Sequence, residues 1–348
     1  MKRQSMTSYG GALEATQAET PTPTGTQVLV EISHCGVCHS DLHMIDGYFD
    51  LGDDRKLDVT AGRELPFTLG HEIAGDIIAT GPDAGDVTIG DACAVYPWIG
   101  CGECERCVEG DEHLCNTTHH LGITVDGGYA SHVLVPHPRY ILNISGIDRK
   151  IAGSLMCSGI TAYGALKKAL SNVRSGPLMI VGAGGVGMMG LQLAKALHDG
   201  PIAVADISEE KREAARQAGA DFVFDPSDAG ARKDVFKSCG ACDAAIDFVG
   251  AEASLKFAQS IVGKAGLIVV AGLLGGKFTT PIPMFALKPF SIHGVFVASL
   301  NDARELLDLV RKGKIAPIPV QTRPLEEANQ ALDDLRAGKV VGRVVLTP

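Results

Sequence analysis

The stretch that most restricts the fold is "VGAGGVG", Val181 to Gly187. It places Gly182, Gly184 and Gly187 in a G-x-G-x-x-G spacing between an apolar strand-like run, "PLMIVG", and a helix-like one, "GVGMMGLQLAKALHDG". Glycine lets the backbone turn tightly, approach a pyrophosphate and pack helix on strand, while the helix N-terminus, with Gly185 and Val186, favours negative charge. Such turns also form without a ligand, so the neighbouring sequence decides. Downstream, strand-like runs ("IAVADIS", "DFVFDP", "CDAAIDFVG", "LIVVAGLL", "FSIHGVFVA") alternate with helical ones ("EEKREAARQAGA", "ARKDVFKSCG", "AEASLKFAQSIVGKAG"). That order predicts βαβ units in a doubly wound parallel α/β sheet. Ser208 is placed to cap the helix whose first turn holds Lys211. The strand "AVAD" ends in Asp206, a carboxylate able to accept hydrogen bonds from an adenosine ribose. The same charge repels a 2′-phosphate and no arginine immediately follows it, so NAD is expected rather than NADP. A turn-forming role at a strand end is the plain alternative for Asp206.

A chain of 348 residues is long for one core and suggests two domains. Up to about residue 145 it reads differently from the glycine-rich half: "TQVLVEI", "HEIAGDIIATG", "DACAVYPW" and "YASHVLVPHPRYILN" are short strands broken by Gly and Pro, as in a barrel-like all-β unit with function in its loops. The tail holds two helical patterns and then "VGRVVLTP", a strand able to rejoin the first unit. The formal charge of −10 argues against a nucleic-acid surface. The N-terminus lacks the apolar stretch of a secretory signal, so a cytoplasmic protein is expected. Pro177 to Ala194 approaches membrane-spanning length, but its five glycines and a glutamine fit a buried strand and helix better.

Ten cysteines are too sparse for a disulfide scaffold and suit metal binding. "CGECERCVEGDEHLC" spaces Cys101, Cys104, Cys107 and Cys115 as C-x2-C-x2-C-x7-C. Four thiolates in one loop close a tetrahedron around zinc with no open position, which is a structural site. An iron–sulfur cluster also takes four thiolates, but Asn116 stands where the bacterial pattern commonly has proline. A second set is dispersed: Cys35, Cys38, His39 and His43 in "CGVCHSDLH", His71 in "LGHEIAG" and Cys157 in "LMCSGITAY". A catalytic zinc keeps three protein ligands and an open corner, and one ligand from each of three distant loops would give that. Spacing alone does not choose among them.

The motifs "GVCHSDLH", "LPFTLGHEIAG", the four-cysteine lobe, "CSGITAYGALK", "VGAGGVG", "AD" and the terminal "GRVV" together resemble the zinc-dependent medium-chain alcohol dehydrogenases along nearly the whole chain. The resemblance implies a GroES-like β-barrel catalytic domain (1–150 and 299–348) and a Rossmann NAD-binding domain (151–298). It implies two zinc ions per chain, a structural one on the four cysteines and a catalytic one on Cys38, His71 and Cys157. Ser40 would hydrogen-bond the substrate hydroxyl and His43 would pass its proton to water through the cofactor ribose. Asp41 and Glu72 would orient His71 and tune the metal. His39 and Arg343 would lie near the pyrophosphate, Thr161 near the nicotinamide, and Lys211 with Asp206 near the adenosine ribose. Phe49 and Trp98 would wall the pocket for an alcohol or aldehyde, and the assembly would be a homo-dimer or homo-tetramer. A cysteine as third ligand resembles members acting on simple alcohols; a polyol dehydrogenase and a non-catalytic nucleotide-binding relative are the competing readings. The charged segment between Phe49 and Pro66 departs from the compact pattern and bears on the pocket rim. Cys35 is expected to serve packing, Cys239 and Cys242 to be incidental, and His119 and His120 to lie at the solvated surface or pocket rim.

Overall fold

The computed structural model describes residues 1–85, 87–173 and 175–348. Strand Val28–Gly36 is the hub of the first unit because its apolar residues Val28, Val30 and Ile32 are all buried. It pairs antiparallel with Glu72–Thr80, His132–Val135 and the C-terminal strand Arg343–Thr347. The sheet runs Ile141–Asn143, Ala92–Val95, Glu72–Thr80, Val28–Gly36, Arg343–Thr347, Val320–Pro324, so the tail does rejoin the first unit. Pairing of Leu346 with Cys35 and of Val345 with Gly36 brings Arg343 close to the loop that carries Cys38. Three elements are not apparent in the sequence pattern: an N-terminal hairpin, Lys2–Met6 with Leu13–Gln17; a hairpin of Tyr48–Asp50 with Lys56–Asp58 inside the charged segment; and strand Val320–Pro324.

The second unit is a parallel sheet of six strands in the order Phe222–Phe224, Ile202–Ala205, Leu178–Val181, Cys242–Asp247, Val262–Val270, Phe290–Gly294. Chain order reverses between Leu178–Val181 and Cys242–Asp247, and a ligand crevice forms outside the carboxyl ends of strands at such a point. The helical pattern "AEASLKFAQSIVGKAG" overshoots: the helix is Glu252–Ile261, and the chain turns directly into Val262–Val270, with Ala265 at φ 61°. Residues β-branched and apolar at the junction fit either state, and pairing with Cys242–Asp247 decides for strand.

A single helical run joins the units. Arg149–Ser154 packs on strands Val28–Gly36 and Glu72–Thr80, a π-helical turn Leu155–Gly159 follows, and Ile160–Leu170 packs on helix Gly185–Leu197. The units also touch at the cleft mouth, where Gly276 N donates to Asp50 O (3.2 Å) and Lys277 pairs with Asp53 (2.5 Å). Part of the charged segment therefore bridges the two bodies. Among the described residues no helix is long and apolar enough to cross a membrane.

Candidate active site

The glycine-rich turn has the close approaches its spacing requires. Gly182 has φ 92°, and a Cβ on Gly187 would lie 1.8 Å from Gly182 O, so only glycine fits there. Gly184 caps helix Gly185–Leu197, and nothing lies within 4 Å of where its Cβ would be, leaving this edge of the turn open. Asp206 follows strand Ile202–Ala205 and accepts from Ala183 N (2.7 Å) and Ser208 N (2.9 Å), which holds the carboxylate beside the turn. Ser208 Oγ accepts from Lys211 N at 3.4 Å, the N-cap expected from the sequence. Thr161 lies in the first turn of Ile160–Leu170.

Cys38 is the N-cap of the short helix His39–Asp46, which Gly47 ends in a left-handed conformation. Its amide donates to Asp41 Oδ2 (2.9 Å), which also accepts from the buried Tyr129 hydroxyl (2.8 Å). Asp41 Oδ1 lies 3.4 Å from His71 Nδ1. That contact orients the imidazole and leaves Nε2, which has no hydrogen-bond partner among the described residues, for an ion. The Cys38 and Cys157 sulfurs are 3.9 Å apart. Cys38, His71, Glu72 and Cys157 are all buried, with ligand atoms within 4.8 Å of one another. The Cys157 thiol holds Cys38 well below the usual thiol range, while Cys157 is pushed well above it by the Cys38 contact and by burial. Burial opposes charge on His71, but Asp41 and Cys38 outweigh it and raise its pKa to about 10. A dry cluster that concentrates negative charge around one unpartnered imidazole nitrogen fits a divalent cation.

Two expectations are corrected here. Glu72 does not orient His71: its carboxylate pairs with the buried guanidinium of Arg343 and sits as a fourth member of the ligand cluster. Opposite charges at a dry site attract strongly, and Asp41 already occupies His71. The corner expected to be vacant is thus bordered by a carboxylate. Arg343 is 4% exposed; its chain lies against Gly185, where a Cβ would meet it at 2.7 Å, while its head is turned toward Glu72. His39 is exposed on the same helix.

Ser40 Oγ is 3.8 Å from Cys38 Sγ. His43 follows at i+3 on the same helix face, with its ring 4.5 Å from Phe49 and in contact with the Leu273 backbone. Trp98 is buried, donates to Met156 O (2.9 Å) and lies 5.5 Å from His71. Its other neighbours are Phe296 at 5.5 Å and His120 at 5.3 Å. His119 is exposed, but His120 is not a rim residue: it is buried in this aromatic wall. Burial first, and the neighbouring His71 second, lower its pKa to about 4. Neither Phe296 nor the Leu273 contact carries a local sequence signal.

The four-cysteine lobe has the geometry of a closed site. Sulfur separations are 3.9 Å (Cys101–Cys107), 3.5 Å (Cys104–Cys107) and 3.7 Å (Cys104–Cys115). A tetrahedron with zinc–sulfur bonds of about 2.3 Å has edges of about 3.8 Å. Amides of Cys101, Cys104 and Thr117 point at sulfurs, and amide bonds from Glu103 and Cys104 bring the Cys101 thiol down to about 7. A Cβ on Gly100 would lie 2.5 Å from Cys107 Sγ, so the chain must be bare there.

Comparison with known proteins agrees with both halves. Residues 24–145 match the model of the alcohol dehydrogenase GroES-like domain and residues 185–312 that of the zinc-binding dehydrogenases. The chain is 39% identical over the whole of both chains to an NAD-dependent alcohol dehydrogenase of Sulfurisphaera tokodaii, and 38% to one of Saccharolobus solfataricus, again over both full lengths. The crystal structure of an alcohol dehydrogenase from Aeropyrum pernix superposes with a TM-score of 0.90 at 30% identity, covering all of both chains.

Proposed function

The chain belongs to the zinc-dependent medium-chain alcohol dehydrogenases, and from that premise we propose that it reversibly oxidises a primary or secondary alcohol to the aldehyde or ketone with NAD. One observation carries the reading: a single side chain, Arg343, touches both the ligand cluster through Glu72 and the glycine-rich turn through Gly185. Hydride donor and hydride acceptor must meet at such a junction. When bound, zinc supplies the positive charge that makes a substrate hydroxyl acidic and NAD supplies the hydride acceptor.

The chain's own residues do the rest. Cys38, His71 and Cys157 would hold the catalytic ion, and Asp41 fixes the His71 ring. Arg343 engages the Glu72 carboxylate beside the cluster, which would leave the fourth position to substrate. Ser40 accepts the substrate hydroxyl proton's hydrogen bond and His43 carries the proton toward water. Burial lowers the His43 pKa below its usual value, so the ring is neutral near pH 7 and able to accept. Asp206 and Lys211 would bind the adenosine ribose, Thr161 would lie near the nicotinamide, His39 would serve the pyrophosphate with the Arg343 side chain lying against Gly185 of the glycine-rich turn, and Phe49 and Trp98 would exclude water from the pocket. The second zinc belongs to Cys101, Cys104, Cys107 and Cys115. None of the ten cysteines is in a disulfide, which suits a reducing cytoplasm. The outer strand Phe290–Gly294 is a sheet edge that carries exposed Ile292 and is preceded by exposed Ile282 and Leu287, which supports a homo-dimer, or a tetramer of such dimers, formed there.

A panel of alcohols assayed with NAD and NADP tests the reading; no turnover of any alcohol by zinc-loaded protein would end it. In Asp206→Ala the preference for NAD, as a ratio of kcat/KM values, should fall about tenfold or more; an unchanged ratio removes the ribose role. His43→Ala should be slowed about tenfold to a hundredfold near neutral pH. Solvent base becomes more abundant as pH rises, so the variant should recover on the alkaline side. A pH profile parallel to that of the unaltered enzyme would dismiss the relay.

A further inference from the structure

The pocket wall contains a polar atom that the carbinol chemistry and the cofactor leave unused. His120 is 4% exposed, edge-on to Trp98 at 5.3 Å and stacked with Phe296 at 6.0 Å. The Trp98 indole that borders it lies 5.5 Å from His71 of the ligand cluster on its other side. The main chain beneath it is fixed, because His120 O accepts from the amides of Ile123, Thr124 and Val125. Among the described residues, Nε2 is fully buried and has no protein hydrogen-bond partner. The other polar groups of the wall are committed: Trp98 Nε1 to Met156 O, and the Ser40 hydroxyl beside Cys38. A buried ring nitrogen without a partner is costly, and an apolar ring of the same shape would avoid that cost. Aromatic neighbours on two sides give the imidazole a defined position from which a ligand atom can be met.

Resting on the alcohol dehydrogenase reading, we infer that His120 determines substrate specificity, its Nε2 hydrogen-bonding a second oxygen of the substrate several bonds from the carbinol. The preferred alcohol then carries a hydroxyl, ether or carbonyl oxygen besides the one that is oxidised. A plain alkyl alcohol leaves the nitrogen unpaired and is discriminated against, because rejection of an analogue is strongest where a polar site group loses its partner.

The test compares n-pentanol with its oxygen isosteres ethoxyethanol, methoxypropanol and the butanediol with hydroxyls at both ends. These match in length and differ only in where oxygen replaces carbon. The holoenzyme should favour the best isostere over n-pentanol in kcat/KM, and His120→Phe should cut that ratio about tenfold, mainly through KM. His120→Gln, which restores a polar atom, should recover most of it. Trp98 is the sole tryptophan and borders His120, so its fluorescence gives each alcohol's Kd without turnover and reports whether the variants fold. The Kd ratio should move with the kinetic ratio. Ratios within about twofold of the unaltered enzyme's in both readouts overturn the proposal while alcohol oxidation stands. If the holoenzyme oxidises none of the four alcohols while turning over others of the wider panel, this inference falls and the dehydrogenase reading stands; no turnover of any alcohol ends both.

Discussion

Cys38→Ala and His71→Ala are each expected to lose about a thousandfold or more in turnover while remaining folded. The charge of a bound zinc contributes several kcal/mol to stabilising the reacting oxygen, and each 1.4 kcal/mol is about tenfold in rate. Folding should survive because the surroundings keep their own bonds: Tyr129 still donates to Asp41, and Trp98 still donates to Met156 O. Zinc per chain should drop from two to one, with the Trp98 emission retained. Full activity in either variant, with only one zinc bound, would remove the catalytic ion from the reaction. NAD binding should be nearly unchanged, since the glycine turn and Asp206 contact neither residue.

The second large effect is expected at the lobe. Cys107→Ser should abolish zinc binding there and lower the thermal midpoint by about 10 °C, because a structural metal contributes its binding free energy to folding. The lobe has few alternatives to hold it. Its helix Glu105–Val108 is a single turn, and its link to the barrel runs through Glu112, which accepts from Arg139 and Tyr140. Activity per folded chain should be kept at low temperature, which separates this site from the catalytic one. A variant that loses the zinc yet melts with the unaltered protein would show the lobe to be held by packing alone.

Local chemistry was readable where all of it lies close in sequence. The turn from Val181 to Gly187 and the four cysteines of one loop each contain their own geometric requirement. The dispersed cluster is different: the proximity of Cys38, His71 and Cys157 is readable only through resemblance, since sheet pairing and a π-helical turn bring them together. The pairing of Arg343 with Glu72 had no sequence signal, because it depends on the last strand lying against Val28–Gly36. His120 misled for a related reason. A histidine in a polar loop reads as solvated, and the rings that enclose it, Trp98 and Phe296, come from elsewhere in the chain. The helix that ends at Ile261 was overextended because apolar and β-branched residues cross the boundary without a break.

The run Arg149–Leu170 begins on the barrel, ends on the nucleotide unit and carries Cys157 in the π-turn between them. An ion held by the proposed ligands would therefore be pinned to the axle on which the two bodies are mounted, while the clasp of Asp50 and Asp53 on Gly276 and Lys277 sits at the rim. A cleft that swings open by releasing the rim moves most at the mouth and least at the pivot. Cofactor and product could then be exchanged while all three proposed grips on the ion stay closed.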